Sequence, residues 1–232
     1  MTNPPKMKVD EGKTNLPPTP AEVTKPRQTM GAVAAREQPE SYYLHILRSG
    51  TVQQRILAIK WLAVNSNPDV SVPALAQTLR TDKEPRVLAE AAESLKYLQD
   101  TRAVPALLPL LSHRESSVRL RCADALGGIG WKHQKDYNWT SCVRALEDKA
   151  LSDSDMAVRL ISIYSLEKIC DVHALDTLFR LRDQDPDASI RYYAREAANY
   201  IKVLNPLAEA VKKAKPKKRE TSDSEFYRNT PF

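Results

Sequence analysis

Glycine is scarce in this chain, with six residues in 232 and none between Trp131 and Phe232. A glycine inside a helix costs about 1 kcal/mol relative to alanine, so the scarcity suits a largely helical body. Cysteine is rarer still. Cys122, Cys142 and Cys170 are odd in number and form neither a CxxC pair nor a zinc-like spacing. That excludes a disulfide framework and points to a reducing compartment, read here as the cytoplasm. The N-terminus has no apolar run of the secretory kind, and no stretch of about 18 apolar residues occurs, so neither export nor a membrane span is expected. GxSxG, P-loop and GxGxxG motifs are missing too. The four histidines, at positions 45, 113, 133 and 173, lie apart without ligand spacing, so no metal site is expected. Nothing in the sequence orients His133 and Cys142 as a catalytic pair, and no catalytic residue is assigned.

Charge is the next guide. The formal net charge is +6, but residues 1–40 carry six positive and five negative side chains, and residues 207–232 carry seven and four. The body between them is nearly balanced, so the basicity belongs mainly to the C-terminal tail. Residues 1–40 also hold seven prolines and no apolar periodicity, and are read as a disordered extension. Residues 41–205 are read as the folded domain. Residues 206–232 form a charged tail that includes Lys212, Lys213, Lys215, Lys217, Lys218 and Arg219. A tail of this kind either binds nucleic acid or an acidic membrane surface, or is simply solvated. No aromatics interleave the cations of Lys212–Arg219, which makes nucleic acid the weaker reading.

Within the body a pattern recurs: an aliphatic–Arg pair, then small residues, then a Leu one helical face later. Its clearest copy runs from Val118 to Gly127, VRLRCADALG. Aligned on the Arg position, the copies sit at Arg55, Leu88, Arg119, Arg159 and Arg191, separated by 33, 31, 40 and 32 residues. Repeats of this length mean stacked helical pairs. In the third copy Val118, Cys122, Ala125, Leu126 and Ile129 form one apolar stripe, and the small residues allow close helix approach. Gly127, Gly128 and Gly130 then read as the helix terminus. The preceding helix of that pair starts at Asp100 or Thr101 as a cap, carries Pro105 harmlessly in its first turn, and should kink at Pro109. Asn67 to Leu75 repeats the device, and Asp171 to Leu175 repeats it without the proline.

The runs Val118 to Gly130 and Asp100 to Arg119 resemble HEAT repeats, in the class found in phycobilisome (phycocyanobilin) lyase subunits and their relatives. The resemblance covers about residues 50–203. It implies an all-α fold, a HEAT-like α-solenoid of about five helical-hairpin repeats. Because the class spans bilin lyases, phycobilisome-degradation factors and plain scaffolds, it implies fold more strongly than function. Under the lyase reading the cofactor would be a bilin tetrapyrrole. The partner would be a phycobiliprotein or a second HEAT-repeat subunit, since such subunits act in pairs. Two positions depart from the pattern: Leu88 stands for the usual Arg, and Ala198 for the usual Leu. In the family such arginines contact an Asp in a neighbouring turn. Here Asp153 and Asp155 precede Arg159, and Asp183, Asp185 and Asp187 precede Arg191, which reads as a ladder locking the repeats together.

Two regions are candidates for binding. The 40-residue spacing adds about seven residues within Trp131–Thr140, and insertions in solenoids fall on one face, often the binding face. Trp131, His133, Tyr137 and Trp139 there suit a protein anchor or a planar ligand, or else cover the core beneath a longer loop. The second region is the concave face lined by the second helices. Positions two and five after each anchor should point outward: Leu57 and Lys60, Glu90 and Glu93, Arg121 and Asp124, Ile161 and Tyr164, Tyr193 and Glu196. With Tyr192, the set turns apolar and aromatic toward the C-terminal repeats, as a partner site would. A misphasing by one residue would place these side chains in the core instead. The expected function is a non-catalytic adaptor or scaffold that binds another protein through this face and the loop.

Overall fold

The computed structural model describes residues 38–205, and every regular element among them is helical. Ten α-helices follow one another: α1 (Glu40–Ser49), α2 (Val52–Asn65), α3 (Pro68–Thr81), α4 (Pro85–Leu98), α5 (Val104–Leu107), α6 (Ser116–Lys132), α7 (Thr140–Ser152), α8 (Met156–Ile169), α9 (Leu175–Gln184) and α10 (Ala188–Leu204). They pair as five hairpins. The second members, α2, α4, α6, α8 and α10, pack side by side in one layer, and each first member packs on its own partner. The segments read from sequence as extensions at both ends fall mostly outside the described residues.

Local signals start several of the helices. Thr51 and Gln54 make a reciprocal capping box at α2. Asn67 accepts from the Asp69 N–H at 2.9 Å, with Pro68 as the first helical residue of α3. Asp100 and Asp171 accept from the N–H two residues on, each opening a 3-10 turn. The first helix of the third hairpin is broken: 3-10 at Thr101–Ala103, α5, then 3-10 again at Leu108–Ser112. Pro109 has no N–H to continue the α ladder, which explains the second change.

Gly127, Gly128 and Gly130 do not end α6. They lie inside it, and the helix runs on to Lys132. What demands them is packing, since a Cβ on Gly127 would stand 2.6 Å from Ser165 Oγ and 2.8 Å from Ser165 Cα on α8. One on Gly130 would stand 2.4 Å from Ile169 Cγ1, and one on Gly128 2.6 Å from Lys96 Cγ on α4. The glycines therefore let α6 sit close to both neighbours. Ser165 uses the approach to donate to the Ala123 carbonyl at 2.8 Å.

The arginines form a partial ladder. Each takes main-chain carbonyls in the turn before its own helix: Arg55 takes Gly50, Arg119 takes His113 and Arg114, Arg159 takes Asp153, and Arg191 takes Asp185 and Pro186. The carboxylate partner belongs to the next repeat rather than to the preceding turn. Arg55 grips Asp82 at 2.7 and 3.1 Å, and Arg119 grips Asp153 at 2.8 and 2.7 Å. Asp82, Asp153 and Asp185 also accept from the N–H two residues on, at 2.9, 3.0 and 2.9 Å. The same position in the third repeat is His113, whose Nδ1 accepts from Glu115 N–H at 3.1 Å. Leu88, which replaces the arginine one repeat earlier, is fully buried. The rung is thus missing at both of its ends together.

Candidate functional site

The phase assigned to the second helices holds. Val118, Cys122, Ala125, Leu126 and Ile129 are buried, while Leu57, Lys60, Arg121, Tyr164, Tyr193 and Glu196 are exposed. Glu90, Glu93, Asp124 and Ile161 are half-buried, Ile161 against the core. Tyr192 and Tyr193 are both exposed, with their rings edge to face at 5.3 Å.

Polar side chains tie neighbouring second helices across this face. Lys60 reaches Glu90 at 3.5 Å, Arg121 reaches Glu93 at 2.7 Å, and Lys96 joins Glu93 and Asp124 at 3.0 and 2.9 Å. Lys168 stands 3.7 Å from Asp124. Partial burial works against a charged Glu93, but the hydrogen bond and charge of Lys96, with Arg121, outweigh it and hold its pKa below the usual range. Arg121 and Asp124 are therefore engaged within the stack, linking α4, α6 and α8.

The insertion divides in two. Trp131 lies at the end of α6 and is 54% exposed. Trp139 is only 3% exposed, and its indole N–H donates to the His133 carbonyl at 2.9 Å. Tyr137 packs on Trp139 with ring centroids 4.9 Å apart. His133 closes α6, and its Nε2 meets the Gln99 carbonyl at 2.9 Å. A carbonyl can only accept, so Nε2 carries the proton. Trp139 thus closes the core under the longer loop, with Tyr137 and His133 part-buried beside it. Trp139→Ala should cost about 3–5 kcal/mol and lower the melting temperature by roughly 10 °C, whereas Trp131→Ala should leave it nearly unchanged. Thermal melts followed by circular dichroism check both.

The structure adds residues that the sequence reading passed over. A cleft of about 630 Å³ lies between α4, α6, α8 and α10, where Tyr97, Trp131, Tyr164 and Tyr200 surround Lys96, Lys168 and Glu167. Beside it a smaller, mostly apolar cleft of about 330 Å³ is lined by Leu120, Leu160, Ile161, Tyr164, Glu167 and Tyr193. Tyr164 and Glu167 border both. Extending the outward stripe by one turn, to nine residues after each anchor, names Val64, Tyr97, Gly128, Lys168 and Tyr200, the last four at the larger cleft. That signal was present in the repeat register. Lys96 lies over the Tyr97 ring at 4.8 Å and Lys168 over Tyr164 at 4.3 Å.

Two of the three thiols are deeply buried. Burial pushes the Cys122 thiol up to about 12 and the Cys142 thiol up to about 11, so neither supplies a thiolate near neutral pH. The three cysteines are free. Among the described residues no group of three or more His, Cys, Asp or Glu is placed to hold a metal, and no helix is long and apolar enough to cross a membrane.

No curated protein matches this chain. Solved structures do. An engineered protein is 22% identical over 71% of this chain and 79% of its own, with a TM-score of 0.52. The complex of CpcE and CpcF of phycocyanin lyase from Nostoc sp. PCC7120 is 17% identical over 88% of this chain and 73% of the matched chain, with a TM-score of 0.57. At these identities the likeness is one of fold. The HEAT-repeat family profile matches residues 72–137 and 110–199, more than half of the chain. With five stacked hairpins behind that match, the chain belongs to the HEAT-repeat family.

Proposed function

We propose that this protein is a non-catalytic adaptor that holds another protein against the exposed face of its second helices. One observation carries the reading: Tyr97, Trp131, Tyr164 and Tyr193 are exposed and line two adjoining clefts, with Tyr192 exposed beside Tyr193. Large exposed aromatics cost solubility and supply anchors at interfaces, so their concentration on one face favours a docking surface. Paired Arg121 and Asp124 would keep this surface in register, and Ile161 would add apolar area. We place the protein in the cytoplasm, where its free thiols stay reduced. Affinity purification from the native cell tests the site. Trp131→Ala, Tyr164→Ala and Tyr193→Ala should each deplete the same co-purifying protein, with unchanged melting. If all three variants retain every partner, the site assignment is wrong.

A second reading is a bilin lyase subunit or a phycobiliprotein-handling factor, with a tetrapyrrole as cofactor and a phycobiliprotein or second HEAT-repeat subunit as partner. Its support is the fold shared with the CpcE and CpcF complex. Co-expression with phycobiliprotein subunits and a bilin separates the readings, because the adaptor predicts no bilin absorbance on either protein. Nucleic-acid binding through Lys212–Arg219 is the weakest reading. Those residues lie outside the described structure, and the nearly balanced body offers no continuing basic surface.

A further inference from the structure

One charged side chain in the larger cleft stands apart from the rest. Lys96 is held by Glu93 and Asp124, and Lys168 lies near Asp124 and over Tyr164. Glu167, between the two clefts, makes no hydrogen bond and no ion pair with any described residue. It is half-buried, and the surroundings disfavour its charge. Burial raises its pKa, Lys168 opposes that effect, and Glu196 on α10 reinforces it. A half-buried carboxylate without a partner is a group for which a ligand is the natural complement.

We propose that Glu167 receives an arginine side chain of the docked protein, with Trp131 and Tyr200 flanking the guanidinium. The proposal rests on the reading of this face as a docking surface. The local charges decide between a cation and an anion. An anion entering the cleft would have to draw Lys96 and Lys168 away from carboxylates that already hold them. A cation breaks no ion pair there; it shares the field of Glu167 with Lys168 and offsets the repulsion between Glu167 and Glu196. The rings then favour arginine over lysine. A guanidinium is planar, weakly hydrated, stacks on aromatic faces and offers a fork that matches a carboxylate. Trp131 and Tyr200 carry no cation over their rings among the described residues, whereas Tyr97 and Tyr164 already do.

Titration of the full chain with fluorescein-labelled nona-arginine, and with nona-lysine of equal charge, tests this. Nona-arginine should bind more tightly than nona-lysine. Glu167→Gln should weaken nona-arginine binding about tenfold and remove the preference, as loss of a charge-assisted, stacked contact requires. Trp131→Ala should weaken it also, while Glu90→Gln, on the same face but away from the cleft, should act only as a general loss of charge. Equal binding of the two peptides, or nona-arginine binding unaffected by Glu167→Gln, would overturn the proposal. The two readings fail differently. A native partner lost in Tyr193→Ala but retained in Glu167→Gln preserves the docking face and overturns the arginine contact. Retention in every face variant overturns both.

Discussion

Gly127→Ala is expected to melt well below the parent chain, although the substitution favours an isolated helix by about 1 kcal/mol. The new Cβ would lie 2.8 Å from Ser165 Cα, which is backbone and cannot swing aside. Either α6 and α8 separate or the Ser165 hydroxyl loses its 2.8 Å bond to the Ala123 carbonyl and is left buried without a partner. Overpacking costs about 1–3 kcal/mol, and an unsatisfied buried hydroxyl about 1–3 kcal/mol more. The sum outweighs the helical gain. Gly128→Ala is the internal control, since its Cβ meets Lys96 Cγ, part of a long side chain that can move. It should be the milder of the two, with its penalty felt in the Lys96–Asp124 pair. Melting temperatures in the order parent, Gly128→Ala, Gly127→Ala check the argument. Equal melting of Gly127→Ala and the parent would refute close packing as the reason for the glycine.

The second large effect is expected at Arg119. Arg119→Leu leaves the Asp153 carboxylate, whose side chain is 3% exposed, without its bidentate partner, and such a loss costs about 3–5 kcal/mol. Adding Asp153→His should return much of that stability. The protein already contains this pairing of residue types one repeat earlier, where Leu88 stands at the arginine position, His113 stands at the aspartate position, and the imidazole Nδ1 accepts from the Glu115 N–H as a carboxylate would. Burial works against the charge on Asp153, but the hydrogen bond and charge of Arg119, with the Asp155 N–H, hold its pKa below the usual range. The rung's contribution is therefore complete above the ordinary aspartate pKa and fades as pH falls through the lowered value. The deficit of Arg119→Leu should accordingly be full at neutral pH and shrink in strong acid. Chemical denaturation at several pH values measures it, and a deficit that grows on acidification would contradict the assignment.

Much of this architecture is readable in the residues, for a physical reason. Each second helix buries a stripe set by the 3.6-residue period, so the anchors at Arg55, Leu88, Arg119, Arg159 and Arg191 suffice to phase five helices. Caps at Asn67, Asp100 and Asp171 are equally local and equally visible. What the chain hides are the choices made by tertiary contact. Three glycines in four residues look like a stop signal because their own helix supplies no reason for them, and the reason lies on Ser165, Lys96 and Ile169. Trp131 and Trp139 are the same residue type and opposite in exposure, since Trp131 stands in the last turn of α6 while Trp139 ends the loop that follows and turns inward. The clefts escaped notice because Glu167 and Tyr200 acquire neighbours only when α8 and α10 are set side by side.

The absent rung has a consequence for how the stack comes apart. In a quasi-one-dimensional protein each interface is a separate bond, and the weakest one decides where a break begins. Between the first and second hairpins, and between the third and fourth, a shielded arginine clasp does the joining. At the junction of the second and third that role passes to Glu93–Arg121 and Lys96–Asp124, which water and ions reach more easily. Ionic strength therefore acts more on this seam than on the two that an arginine clasps. Concentrated salt would loosen it before either of them.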